Sequence, residues 1–225
     1  MPRRALRDHG DSLTPVEKTA LDEAQRRLTD IARRAERPQG ADELRGVEGE
    51  AAAVYFAVFG HLIRSDDEAF RFRGRSRRPP LDALNALLSL LYTLLTHDCR
   101  SAAETMGLDP AVGFLHRDRL GRPSLALDLM EELRSVLADR LAVMLVNRRE
   151  LASRDFRHLE NGAVLLADEA RKSLLIAFQE RKKEEIQHPY LGEKAPLGLV
   201  PQLQAQLLAR HLRGDLDTYP PFVWR

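Results

Sequence analysis

The sequence predicts an all-α fold of about seven or eight helices. Apolar residues recur at helical spacing through most of the chain, most regularly at Leu125, Leu129, Leu133 and Leu137. No stretch sustains the apolar–polar alternation of a half-buried strand, and no internal repeat is present. With 225 residues, 44% of them hydrophobic and 31% charged, the chain is long and apolar enough to bury a sizeable core.

The first helix is expected over Thr14–Arg37. Thr14-Pro15 pairs an N-cap residue with proline at the first helical position, and Leu21, Ala24, Leu28, Ile31 and Ala32 form one modest stripe. Pro38-Gln39-Gly40 should end it. Ala41–Ile63 is the second helical segment. Gly46 and Gly49 weaken an exposed helix, and together with the small Ala51, Ala52 and Ala53 they lead to the expectation of a close backbone neighbour. Residues 71–78 then carry five arginines and no acid, followed by Pro79-Pro80. This run suits either a solvated loop or a loop that contacts phosphate oxygens.

Leu81–Thr96 reads as a core helix with Asp82 near its positive end. Asn85 and Tyr92 can line one of its faces. A separate short helix, Ser101–Met106, should close at Gly107. Pro123-Ser124 then opens a helix running to Arg148 or Arg149, with the Ser124 hydroxyl expected to accept from a free backbone N–H. Asn161-Gly162 signals a turn, and Leu165–Glu185 a further helix whose charged run QERKKEE reads as a solvated face. His188-Pro189 stops it. Pro201–Arg213 is the last amphipathic helix, with Leu203, Leu207, Leu208 and Leu212 in register. The tail brings Tyr219, Phe222 and Trp224, which should pack on the chain's own domain or on a partner.

Composition excludes several classes. Cys99 is the single cysteine, so neither a disulfide framework nor a cysteine-ligated zinc site can form within one chain, which fits a cytoplasmic protein. No apolar run reaches membrane-spanning length, and the first residues lack the apolar core of a secretion signal. Net charge is only +1, so bulk electrostatics announce no nucleic-acid binder. Neither a phosphate-cradling P-loop nor a GxSxG nucleophile elbow occurs.

The chemistry concentrates in Gly113–Arg134, GFLHRDRLGRPSLALDLMEELR. Asp128 and Glu131, three apart on a helix, share a face bordering the apolar stripe, and His116 precedes them on a polar loop. Glu48 shares a stripe with Ala52 and Tyr55, where a carboxylate needs a partner. Together Glu48, His116, Asp128 and Glu131 are candidate metal ligands. Oxygen-rich ligation with one imidazole suits Mn²⁺ or Mg²⁺ better than zinc. Asp118, two residues after His116, could orient the imidazole or simply cap the loop. A competing candidate is His97-Asp98, an adjacent pair of the kind found in helical phosphohydrolases, with His61 as a recruit.

Four segments carry a resemblance to a known family: RGVEGEAAAVYF (45–56), RRPPLDALNALLSLLYTLL (77–95), GFLHRDRLGRPSLALDLMEELR (113–134) and HPYLGEKAPLGLVPQLQAQLLARHLRGDLDTYPPFVWR (188–225). In this order they resemble Cas1, the CRISPR-associated integrase, most closely that of subtype I-C systems. The resemblance runs from about residue 40 to the C-terminus. It implies a helical catalytic domain that holds Mn²⁺ or Mg²⁺ and acts on DNA phosphodiesters in antiviral defence, by cleavage and by transesterification during spacer acquisition. Carried over by motif, the ligands are Glu48, His116 and Glu131, with Asp128 supporting or sharing coordination. Partners implied are prespacer and repeat DNA, a second copy of the chain, Cas2 and Cas4. Members of the family begin with a β-rich domain. Residues 1–40 here resemble the linker helix that follows it, and 41–225 the catalytic domain, so the sequence reads as a fragment or truncated form. A truncated, non-catalytic module binding DNA or a partner is the alternative. Arg71, Arg73, Arg75, Arg77 and Arg78, with Arg117 and Arg119, are the candidate DNA contacts.

Overall fold

The computed structural model describes residues 1, 2, 6, 7, 13–37 and 40–224. The chain divides into two compact units, Met1–Ala86 with Val143–Leu165, and Leu87–Ala142 with Leu166–Arg225.

In the first unit, helix α1 (Pro15–Ala35) begins as the sequence predicts. The Thr14 hydroxyl accepts from Glu17 N at 3.3 Å, and the Glu17 carboxylate accepts from Thr14 N at 2.8 Å. This reciprocal box satisfies two donors that the helix start would leave bare. The Pro38-Gln39 stop lies outside the described residues. Helix α2 (Ala41–Val58) gives way to a 3₁₀ turn, Phe59–Leu62, sooner than the expected end at Ile63. The turn seats Phe59, fully buried, against Phe72 with ring centroids 5.3 Å apart. Gly46 and Gly49 do not mark a close backbone neighbour among the described residues, because a Cβ at either would meet nothing within 4 Å. Strands β1 (Phe156–His158) and β2 (Val164–Leu166) form a hairpin whose turn uses Gly162 at φ 79°, as the Asn-Gly signal anticipates. Phe156 packs edge-on against Phe70 at 5.6 Å.

Helix α3 (Ala83–Thr105) starts in the first unit and continues in the second. The sequence reading split this stretch in two. No break occurs, because Cys99, Ala102 and Ala103 extend the buried stripe of Leu88, Leu91 and Leu95, while His97 and Arg100 face solvent. Gly107, at φ 74°, closes the helix, and Leu108 N donates to Ala103 O at 2.9 Å.

Helix α4 (Ser124–Leu133) passes through a π-helical segment, Arg134–Asp139, into α5 (Arg140–Asn147). The leucines recur every four residues, a longer step than the 3.6-residue turn, so a regular helix would rotate them off the core. The wider segment absorbs that drift, and Leu133, Leu137 and Leu141 all stay fully buried. Helix α6 (Asp168–Lys183) follows, then strands β3 (Glu185–Gln187) and β4 (Lys194–Pro196), antiparallel with Ile186 opposite Ala195. Helix α7 (Val200–Leu212) completes the regular structure. The charged run after Phe178 is not wholly solvated. Arg181 is buried and donates from Nη2 to Val136 O at 3.1 Å.

The expectation of an all-α fold is therefore corrected to a helix-rich one with two short hairpins. Counting α4 through α5 as one run, the described residues from Leu13 onward form six α-helical runs rather than seven or eight. Each strand is three residues long, too short for alternation to register in the sequence.

Candidate metal centre

His116 sits on the irregular loop between α3 and α4, in the second unit. Asp128, one turn into α4, reaches back and holds that loop. Its Oδ2 accepts from Phe114 N at 2.6 Å and Leu115 N at 3.1 Å. Its Oδ1 accepts from His116 N at 3.0 Å and from the His116 ring at Nδ1, 2.7 Å away. Burial alone would raise the Asp128 pKa. The bonds from the His116 ring and from the N–H groups of His116, Leu115 and Phe114 outweigh it, and the carboxyl is held below the ordinary aspartate range. A carboxylate only accepts, so Nδ1 carries the proton, and in the neutral form of the ring the lone pair lies at Nε2. Nε2 is thereby the ring nitrogen not engaged by Asp128.

The loop can close this tightly because residue 113 is glycine. A Cβ there would stand 2.7 Å from Ser124 Cβ and 2.9 Å from both Asp128 Oδ2 and the His116 carbonyl. Ser124 does not cap the helix as expected. Its buried hydroxyl donates to Arg117 O at 3.2 Å, and Pro110 O instead accepts from Leu125 N at 2.9 Å.

Glu131 lies one turn beyond Asp128. A ring nitrogen of His116 and a carboxylate oxygen of Glu131 come within 4.8 Å of one another. Arg134 Nη1 donates to Glu131 at 2.8 Å, and its guanidinium lies 5.6 Å from the centroid of the Tyr92 ring. The Tyr92 hydroxyl in turn donates to the buried Asp139 carboxylate within the π-helical segment. A cavity of about 330 Å³ opens beside Glu131, walled by Phe114, Leu125, Leu129, Leu208 and Tyr219 among others.

Glu48 belongs to the first unit. It is half-buried on α2, and its carboxylate has no hydrogen-bond or ion-pair partner among the described residues. Asp118 is the loop cap rather than the imidazole's orienter, since it accepts from Gly113 N at 3.3 Å while Asp128 takes the ring. The rival pair is accounted for otherwise. His97 is exposed, and Asp98 pairs with Lys182 Nζ at 2.7 Å. His61 faces Glu17 at 3.6 Å. Of the arginine run, Arg75 donates to the buried Asn85 side chain at 2.7 Å, whereas Arg71, Arg73, Arg77 and Arg78 are exposed. Arg117 and Arg119 are exposed as well.

Arg134, Asp139 and Glu132 escaped the sequence reading. Asp139 left a signal, an acid set among Val136, Leu137, Ala138 and Leu141. Arg134 left none beyond its three-residue step from Glu131.

A helix-rich fold that clasps one imidazole with a carboxylate, beside a second carboxylate paired with arginine, brings together residue types that could hold a metal ion. The family model for CRISPR associated protein Cas1 matches residues 2–180, and the chain belongs to that family. A relative from Rhodospirillum rubrum, CRISPR-associated endonuclease Cas1 2, is 68% identical over 223 residues, which is 99% of this chain and 65% of the relative. The chain thus spans just under two thirds of that relative's length. Among solved structures, one described as a casposase bound to integration product superposes with a TM-score of 0.78 at 25% identity, covering 92% of this chain and 60% of that one. A partial Cas6-RT-Cas1–Cas2 complex gives a TM-score of 0.74 at 26% identity, covering 99% and 64%. No helix among the described residues is long and apolar enough to cross a membrane.

Proposed function

We propose that the chain is the metal-dependent catalytic part of a CRISPR adaptation integrase and DNA endonuclease, of subtype I-C kind. In this reading residues 1–40 serve as linker and 41–225 as the catalytic domain. Glu48, His116 and Glu131 hold Mn²⁺ or Mg²⁺, and Asp128 orients His116. The observation that carries the reading is the Asp128 clasp, which engages His116 at Nδ1 and leaves Nε2 unengaged by it, while Glu131 stands within 4.8 Å of a ring nitrogen. Glu48 is assigned to the set on the motif resemblance, and its half-buried carboxylate has no partner among the described residues. Two carboxylates and one imidazole match the ligand preference of Mn²⁺ and Mg²⁺.

When bound, the cation would lower the pKa of a coordinated hydroxyl and offset charge on a phosphodiester. The chain's own residues do the rest. Asp128 keeps Nδ1 protonated and the loop closed. Arg134 holds Glu131 through a charge-assisted bond and takes up part of its charge before a cation arrives. Arg71, Arg73, Arg77 and Arg78, with Arg117 and Arg119, contact the DNA backbone, which positions the substrate without reading its sequence. Arg75 contributes to that surface by anchoring its loop on Asn85. The net reaction is attack of the 3′-hydroxyl of a captured fragment on a repeat phosphodiester: a new P–O bond forms, the P–O3′ bond of the repeat strand breaks, and the proton lost by the attacking hydroxyl ends on the released 3′-hydroxyl; in cleavage, water takes the place of the attacking hydroxyl.

The named relatives support the activity and the partners. One is called an endonuclease, one is bound to an integration product, and one is assembled with Cas2. Prespacer and repeat DNA, a second copy of the chain and Cas2 are the partners proposed. Cas4 is added on the subtype I-C resemblance of the sequence, and the setting is the cytoplasm.

The test is His116→Ala. Mn²⁺-dependent cleavage of branched DNA should be abolished while the circular dichroism spectrum keeps its helical form. Undiminished cleavage would remove the assignment. Binding of Mn²⁺ by the unaltered chain without any turnover would favour a non-catalytic module of the same family.

A further inference from the structure

Glu132 follows the proposed ligand Glu131 directly and takes no part in the ligand set, yet its carboxylate accepts three hydrogen bonds. Its Oε1 accepts from the Tyr219 hydroxyl at 2.6 Å. Its Oε2 accepts from Gln204 Nε2 and from Phe222 N, each at 2.7 Å. Three donors thus arrive from two places, helix α7 and the irregular tail.

The orientation of Gln204 is not arbitrary. Leu191 N donates to His188 Nδ1 at 3.3 Å, so the His188 proton sits on Nε2, which lies 3.1 Å from Gln204 Oε1. With its oxygen taken by His188, Gln204 must turn its NH₂ toward Glu132. His188 and Gln204 are each only 1% exposed, so water cannot substitute for these partners. Phe222 is buried as well, its ring 5.6 Å from the His188 ring. The tail is therefore seated by one connected network centred on the Glu132 carboxylate.

The turn that bears Glu131 and Glu132 needs such support. Directly after it the helix enters the π-helical segment Arg134–Asp139, where the regular i→i−4 ladder is interrupted. Glu131, Glu132 and Tyr219 all border the same 330 Å³ cavity. Movement of the tail would consequently move a wall of the cavity and release the turn that aims Glu131.

We propose that Glu132 is a positioning residue for the metal centre: through it, Gln204 and the Tyr219–Phe222 segment hold the helical turn that presents Glu131. The metal-binding half of this inference rests on Glu131 being a ligand; the mechanical half does not. Two variants of the full chain test it. Tyr219→Phe deletes one hydroxyl, and Glu132→Gln keeps the shape while removing the charge. Both should retain the helical circular dichroism spectrum and show faster amide hydrogen exchange over residues 129–135. Both should bind Mn²⁺ about tenfold more weakly by calorimetry, the scale seen when partners behind a ligand are lost. Their turnover should fall with little change in KM for DNA. Unchanged exchange in both variants overturns the proposal whether or not Mn²⁺ binds. Wild-type Mn²⁺ affinity in both variants also overturns it and leaves the metal centre standing. If the unaltered chain binds no Mn²⁺, the metal centre falls, and faster exchange in the variants still upholds the mechanical role. Should Glu132→Gln fail to fold, Tyr219→Phe decides alone.

Discussion

Replacing Asp128 by asparagine tests the centre at the point where most of it converges. The carboxylate accepts four hydrogen bonds, two on each oxygen. Asparagine has one oxygen, so one pair of donors must face an NH₂ group instead. If the NH₂ faces Phe114 and Leu115, two backbone N–H groups lose their acceptor. If it faces His116, the backbone N–H of that residue is orphaned, and the ring can pair only by moving its proton to Nε2, which removes the ligating lone pair. Bonds to a charged acceptor contribute about 1.5–3 kcal/mol each, and those to a neutral one about 0.5–1.5. With part of that recovered by solvent at the loop surface, closure should weaken by about 2–3 kcal/mol. The assay is amide exchange at Phe114, Leu115 and His116, where this loss corresponds to roughly 30- to 150-fold faster exchange at a tenfold change per 1.4 kcal/mol. Mn²⁺ affinity should fall about 10- to 100-fold in parallel. Exchange within twofold of wild type would refute the idea that Asp128 closes the loop, and unaltered Mn²⁺ affinity the idea that it orients His116.

Other expectations follow from single features. Gly113→Ala forces a Cβ against Ser124 and the His116 carbonyl, and should cost about 1–3 kcal/mol in urea denaturation, as overpacking of a tight site does. Replacing Arg73, Arg77 and Arg78 together by alanine should weaken DNA binding and reduce the slope of log K against log salt by about 0.9 for each phosphate no longer neutralised; an identical slope would leave the segment a solvated loop. Cys99 is fully buried, and burial together with the Asp98 and Glu132 charges pushes its thiol well above the usual range. It should resist thiol reagents in the native state and react only as urea unfolds the chain, so prompt labelling in buffer would contradict the packing of α3.

The candidate ligands were legible largely because their chemistry conflicts with their setting. Asp128 and Glu131 stand beside an apolar stripe, and Glu48 shares a stripe with Ala52 and Tyr55. The loop run GFLHRDRLGRPS is polar where the flanking helices are not. Periodicity likewise placed the helices, since a stripe of buried leucines has few alternative uses. The strands stayed hidden because three residues cannot display a period. The continuity of α3 was missed because the polar HDCR stretch resembles a break unless Cys99 is recognised as part of the buried stripe.

Residue pattern alone settles local matters: which segments are helical, which residue types could ligate a hard cation, and the spacing that puts Asp128 and Glu131 on neighbouring turns. Assigning work among those residues required tertiary structure. Spacing treats the two acids alike, yet the fold turns Asp128 back onto three loop N–H groups and the His116 ring, and leaves Glu131 to Arg134. The same holds for Arg75 on Asn85, Asp118 on Gly113 and Glu132 under the tail. In each case the partner lies on another element, or across a loop whose path depends on packing. Side-chain roles depend on which donors the fold brings within 3 Å, and residue type and spacing alone do not contain that information.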